Sequence, residues 1–388
     1  MVDRLSVMAC VLFVEHPCAE GKKLVEVRLN APDSLNALSL DMIEMIRPCL
    51  DQVRKDDSVV ALLLRGSGER AFCAGGDIVQ LYHAIQGEID QAFIERWFMA
   101  EYAMDYTFYS YPKPIICWGN GIVMGGGMGI MNGCSYRIVT EKTRMAMPEV
   151  SIGLYPDVGA SWFFNRIPEG IGQFLGLTGC EINAADALAL GMADRYIRSE
   201  RWEQMISDLQ NADWSGSASQ TVTRVLKQLE CCTHKQSAPP SNILRHYKQI
   251  QNVTGFESAA AISAAILQSS VDSGWWRSAQ SRLQKGSPLA AAIIHEQLKR
   301  SRHLSLREAF LSEMILTTRC CQEGELAEGI RALLIDKDQK PEWLYRSITD
   351  VDASHLERFF SSPWKGNPLA VELARVDELK KSAACRIP

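Results

Sequence analysis

Two glycine turns and two carboxylates are the residues of this 388-residue chain whose types and spacing could do chemistry. Gly75–Gly76 and Gly125–Gly127 each follow an apolar, strand-like run. Glycine lets backbone approach a ligand closely and accepts positive φ. A helix starting after such a turn leaves its first N–H groups without intrahelical acceptors. One N–H from each turn, aimed into a shared pocket, would stabilise negative charge on an acyl or thioester oxygen. Read alone, either run is as well explained by a tight turn or close helix packing. Neither fits the dinucleotide fingerprint, which needs Gly-x-Gly-x-x-Gly in its own βαβ unit with a ribose-binding acid.

Glu149 follows Met-Ala-Met-Pro, and Asp157 lies between Pro156 and Val158 ahead of Gly159. A carboxyl group in apolar surroundings has a raised pKa and can work as acid or base near neutrality. The simpler alternatives are a solvated loop acid for Glu149 and a helix N-cap for Asp157. The seven histidines show no pairing, although His83, in the helix after Gly76, could reach a pocket rim. The nucleophile elbow Gly-x-Ser-x-Gly is absent: Gly159-Ala-Ser-Trp-Phe163 lacks its second glycine.

The elements that must hold these residues alternate between β and α up to about residue 200. Val7–Glu15 and Leu24–Leu29 read as a hairpin, Val59–Leu64 as a strand covered on both faces, and Ile115–Trp118 and Arg137–Thr140 as further strands. Ser39 is a good N-cap for a helix to about Lys55, with Pro48 a candidate kink. Helical pattern continues from Asp77 to Tyr109, and over Gly159–Arg166, Gly170–Leu177 and Ala184–Leu190. Beyond Trp202 strand signals vanish. Ser215–Ser219 and Ser237–Ser241 read as linkers between helices at Thr221–Cys232, Ala259–Gln268, Pro288–Leu304 and Leu306–Cys321. The expected organisation is α/β over 1–205 and mainly α-helical over 206–388.

A 47% apolar, 22% charged composition suits a globular protein, and a net charge of −5 argues against a broad nucleic-acid surface. The twelve cysteines show no CxxC and no metal-ligand spacing, which points to reduced thiols rather than disulfides or a metal site. The run Val7–Val14 is too short to span a bilayer and is followed by no convincing cleavage site. A cytoplasmic protein with no membrane partner is therefore expected; a homo-oligomer is compatible with the sequence.

Taken together, Leu35-Asn-Ala-Leu38, Ala71-Phe-Cys-Ala-Gly-Gly-Asp77, Gly119-Asn-Gly121 with Gly125–Gly127, and Met147-Pro-Glu149 resemble the enoyl-CoA hydratase/isomerase (crotonase) superfamily. Within it, Gly121–Gly129, Ala146–Gly159, Leu175–Gly179 and Glu328–Asp338 with Trp343 resemble the 3-hydroxyisobutyryl-CoA hydrolase branch. The resemblance implies a crotonase-like spiral of ββα turns with a C-terminal α-helical region. It also implies an acyl-CoA substrate, with coenzyme A part of that substrate and no cofactor or metal. Gly76 and Gly126 fall where the family places its oxyanion-hole amides, Glu149 where it keeps its catalytic glutamate, and Asp157 where the hydrolases keep a second acid. Ala74, Asp77, His83 and Gly125 would contact substrate or coenzyme A. Gly129 stands where hydratases carry a second glutamate, which favours hydrolysis over water addition. Two residues depart from the pattern. Val79 replaces a basic residue that contacts phosphate, and His83 stands where hydrolases have a substrate-contacting glutamate. An isomerase or hydratase, and a non-catalytic or RNA-binding member of the superfamily, are the alternatives.

Overall fold

A computed structural model describes residues 9–231 and 238–384. Val7 and Met8, Cys232 and Ser237, which fall in expected elements, lie outside the described residues. Among the described residues, ten strands form two sheets and seventeen α-helices accompany them. The strands are β1 (Val11–Pro17), β2 (Lys23–Leu29), β3 (Val59–Gly66), β4 (Ala71–Cys73), β5 (Ile115–Gly119), β6 (Ile122–Met124), β7 (Tyr136–Val139), β8 (Arg144–Ala146), β9 (Ile182–Asn183) and β10 (Arg195–Tyr196). The larger sheet runs β1-β2-β3-β5-β7-β10 and the smaller β4-β6-β8-β9. β1 and β2 are the expected antiparallel hairpin, with Val11 opposite Leu29. From β3 to β8 successive strands alternate between the sheets, so β3–β4, β5–β6 and β7–β8 are three repeats of one turn; β9 then pairs antiparallel with β8 in the smaller sheet.

Seven helices belong to this part: α1 (Leu40–Lys55), α2 (Ile78–Ile85), α3 (Ala92–Tyr109), α4 (Gly126–Gly133), α5 (Ala160–Phe163), α6 (Ile171–Thr178) and α7 (Ala184–Ala189). The Ser39 side chain accepts from the Met42 N–H as an N-cap, and α1 runs through Pro48 to Lys55. The single helix expected over 77–109 is two, interrupted where Gly87 turns at φ +75°. Ten further helices follow: α8 (Trp202–Gln210), α9 (Ala218–Cys231), α10 (Asn242–Thr254), α11 (Ala259–Gln268), α12 (Gly274–Lys285), α13 (Pro288–Arg300), α14 (Leu306–Glu323), α15 (Leu326–Ile330), α16 (Ala353–Phe359) and α17 (Leu369–Ala384). α8, α10, α12, α15, α16 and α17 have no counterpart among the individual helices expected from the sequence. The short β4, β6, β8, β9 and β10 were also missed, because two or three residues are too few to show a period.

The apolar run of β3 is covered on both faces, as its composition implies. Leu62 and Leu64 join the main core beneath α1 and α3, while Ala61 and Leu63 join a second cluster roofed by α8 and α9. Trp202, Trp214 and Leu226 fill that roof, so the residues on both sides of the linker expected at Ser215–Ser219 form a covering layer. α14 packs on α3, and α13 on α6. α15 packs on α2, which follows the first glycine turn, while α14 reaches the second only through α3, which packs on α4.

Candidate active site

A cavity of about 490 Å³ lies between the two glycine turns and the Pro148–Asp157 segment. Gly75–Gly76 close the turn from β4 into α2, and Gly125–Gly126 the turn from β6 into α4. Gly75 sits at φ +110° and Gly125 at φ +49°, conformations open to glycine at little cost. The turns touch: a Cβ on Gly126 would lie 3.6 Å from the Gly76 nitrogen. The Gly126 N–H opens α4, so the helix itself offers it no acceptor. Around Gly76, the parallel bridge to Leu38 uses the Gly75 carbonyl and the Asp77 N–H, and passes over the Gly76 N–H. Two neighbouring backbone donors are thus left available beside the cavity.

Glu149 opens a short 3-10 turn after Pro148 and is buried, 6% exposed. Its Oε1 lies 3.1 Å from where a Gly125 Cβ would be, and its Oε2 has no hydrogen-bond partner among the described residues. Burial, and secondarily the charge of Asp157, hold its pKa well above the ordinary carboxylate value. Asp157 is equally buried, and its Oδ2 accepts from the Tyr102 hydroxyl at 2.7 Å. Burial raises it to about 6, against the pull of that hydrogen bond. It is not the N-cap of α5, a position Gly159 holds. The next residue, Val158, stands at φ +51°, a strained angle for a β-branched side chain. The contacts around this segment hold that turn, which delivers Asp157, against its strain.

The support for Asp157 comes from far along the chain. Tyr102 also meets the Thr317 hydroxyl at 2.7 Å, and Thr317 meets the Tyr155 hydroxyl at 2.5 Å. Tyr155 donates to the Glu313 carbonyl at 2.8 Å. The Glu313 carboxyl group accepts from the Gly159 and Ser161 N–H groups and from the Ser161 hydroxyl. Two turns of α14 therefore clamp both ends of the 155–161 segment.

Ala74, Gly75, Gly76, Gly125, Gly126, Glu149 and Asp157 all line or border the cavity, as expected. Asp77 and His83 do not line it. Asp77 begins α2, and His83, on the exposed side of that helix, pairs with Glu88 at 2.7 Å. The glutamate that lines the cavity is instead Glu101 of α3, which sequence reasoning missed. Burial, and then the charge of Asp157, push it up to about 8. Glu101 and Asp105 stand one turn apart on α3 and face Gly126 and Gly129 of α4. Cβ atoms on those glycines would lie 2.5 Å from Glu101 Oε1 and 2.9 Å from Asp105 Oδ2. The missing side chain at 129 thus makes room for a carboxyl group from another helix. Asp105 is wholly buried with both oxygens unpartnered among the described residues, and burial, then the charge of Glu101, raises its pKa well above the ordinary carboxylate value. The spacing Glu101-x-x-x-Asp105 was the one available signal, since two acids inside an otherwise apolar helix face need a reason to be there.

No group of three or more His, Cys, Asp or Glu that could hold a metal occurs among the described residues. Nine described cysteines are free thiols. No described helix is long and apolar enough to cross a membrane.

Paired strands alternating between two sheets, with two glycine turns and a buried glutamate lining one cavity, give the fold and site of an enzyme. Residues 24–360 match the profile of the enoyl-CoA hydratase/isomerase family, and the chain belongs to that family. It is 34% identical over 337 residues to the mitochondrial 3-hydroxyisobutyryl-CoA hydrolase of Danio rerio, covering 87% of this chain and 86% of that one. It is 33% identical to 3-hydroxyisobutyryl-CoA hydrolase 1 of Arabidopsis thaliana, covering 88% and 90%. Among solved structures, a carnitinyl-CoA dehydratase from Mycobacterium thermoresistibile superposes with a TM-score of 0.80 at 31% identity, covering 92% of this chain and 98% of that one. The fold expectation is met. The cytoplasmic expectation is not: the Danio rerio relative and other vertebrate relatives are named mitochondrial, which points to mitochondria. A short apolar run and reduced cysteines fit either compartment, so they could not separate the two.

Proposed function

We propose that this chain hydrolyses the thioester of 3-hydroxyisobutyryl-CoA to 3-hydroxyisobutyrate and coenzyme A. The observation that carries the reading is the buried Glu149 carboxyl group facing the Gly76 and Gly126 turns within one cavity. The hydrolase relatives support the substrate. The thioester oxygen would accept from the Gly76 and Gly126 N–H groups, which stabilise the charge it gains as the carbonyl carbon is attacked. Glu149, made more basic by burial, either takes a proton from the attacking water or attacks itself to form a mixed anhydride that water opens. Both routes expel the coenzyme A thiolate, which leaves as the thiol once protonated. Asp157, held by Tyr102, would orient water or the substrate hydroxyl. Glu101 would share that task from α3.

Glu101 also favours a second reading. Water addition across a double bond uses two carboxyl groups, and α3 supplies one that position 129 does not. A substrate panel separates the two: 3-hydroxyisobutyryl-CoA should release thiol, and an enoyl-CoA should gain no water. Hydration of the enoyl-CoA without thiol release from the hydroxyacyl-CoA would overturn the hydrolase reading.

A further inference from the structure

We infer that Arg282 is the phosphate-binding residue for the coenzyme A portion of the substrate, an inference that rests on the acyl-CoA reading of the cavity. Arg282 lies in the last turn of α12 and is the one Lys, Arg or His among the described residues lining the cavity. Three carboxyl groups, Glu101, Glu149 and Asp157, line the same space. They are almost fully buried, whereas the Arg282 side chain is 31% exposed, so the acids form the floor and Arg282 the rim. Between floor and rim the walls are apolar, with Leu81, Phe98, Ile152 and Leu334. An acid floor, an apolar passage and a cationic rim match a ligand with a reactive end, a flexible middle and an anionic tail.

The charge at the rim is uncompensated. Arg282 Nη2 donates to Glu181 Oε1 at 2.9 Å, and Nη1 to the Gly179 carbonyl at 3.3 Å. Glu181 is already bidentate with Arg144, at 2.8 and 2.9 Å. The trio therefore carries a net charge of +1. A guanidinium has five N–H donors, so Arg282 keeps three after these two bonds. Its two anchors fix the plane while leaving that fork for a phosphate, which arginine binds well in bidentate geometry. Position 79, where a basic residue would stand by resemblance, is Val79, 36% exposed. Arg282 brings the missing cation from the other wall.

The test compares the full chain with Arg282→Ala, Arg282→Met and Arg282→Lys on three thioesters of the same acyl group: coenzyme A, 3′-dephospho-coenzyme A and pantetheine. Arg282→Ala and Arg282→Met should raise KM for the coenzyme A thioester about tenfold. Both should leave kcat near wild type and KM for the pantetheine thioester unchanged; Arg282→Lys should recover part of the loss. A penalty that persists on the dephospho substrate assigns the pyrophosphate, and one that disappears assigns the 3′-phosphate. Equal KM penalties on coenzyme A and pantetheine thioesters, or no penalty on either, would overturn the inference in favour of a purely structural tie. Calorimetric binding of free coenzyme A is measured alongside. A wild type that binds coenzyme A without hydrolysing any thioester removes the proposed function, and Arg282 is then judged on the tenfold change in Kd alone. A wild type that binds no coenzyme A sinks both.

Discussion

The two walls of the cavity are built in opposite ways. The amide wall is backbone, supplied by two short turns whose glycines sit within three residues of the donors they present. The carboxyl wall is side chain. Its Asp157 depends on Tyr102 of α3 and, through it, on Thr317 of α14, 160 positions along the chain from Asp157. A backbone donor is fixed by its own turn and helix start. A buried carboxyl group must be held by partners, because desolvation otherwise neutralises or displaces it. The wall made of local geometry is therefore robust to distant change, and the wall made of side chains is open to tuning from the helical region.

Four measurements break or sharpen that contrast. The largest effect falls on the group facing both walls: Glu149→Gln should lower thiol release by about 10²–10⁴-fold with the fold unchanged. Next, Gly126→Pro deletes one backbone donor at a helix position that tolerates proline. It should lower kcat by roughly 10²–10³-fold, and circular dichroism must show that the helix survives, since the added ring atoms approach Glu101. Near wild-type turnover in a folded variant would remove the oxyanion role. Third, Thr317→Val cuts the hydroxyl bridge between Tyr102 and Tyr155. Denaturant unfolding should show a loss of about 1–3 kcal/mol, and the acid limb of the rate profile, where Asp157 titrates near 6, should shift. A change in stability with no shift in the profile would mean that α14 braces the fold without tuning the site.

The last measurement is the pH dependence of stability. Burial raises Glu101 and Glu313 from an ordinary 4.5 to about 8. Between those values the folded chain holds protons that the unfolded chain has released, so stability should fall as pH rises through this window. Denaturation midpoints measured from about pH 5 to 8 should decline in the wild type and less steeply in Glu313→Gln. An opposite slope would mean that the three donors on Glu313 outweigh its burial.

Much of the amide wall was legible in the sequence. Glycine after an apolar strand says where backbone can approach a ligand, and Gly75–Gly76 and Gly125–Gly126 do line the cavity. Glu149 was legible from its apolar neighbours. His83 and Asp77 were misplaced because closeness in sequence to Gly76 says nothing about the direction a helix face takes. α2 points His83 outward, to Glu88. Glu101 was missed for the converse reason: its one mark in the sequence is Asp105 a turn away, far from either glycine turn, and only the packing of α3 against α4 brings it to Gly126.

The sequence by itself determined the strand and helix alternation, the two glycine turns and the apolar setting of Glu149. Each of these is a matter of local sterics and periodicity. The tertiary structure alone decided which wall each acid occupies. It seats Glu101 and Asp105 over two side-chain-free glycines, ties Asp157 to α14, and brings Arg282 from α12 to the rim. Those placements depend on contacts between segments tens to hundreds of residues apart, and burial then sets the charge each group carries.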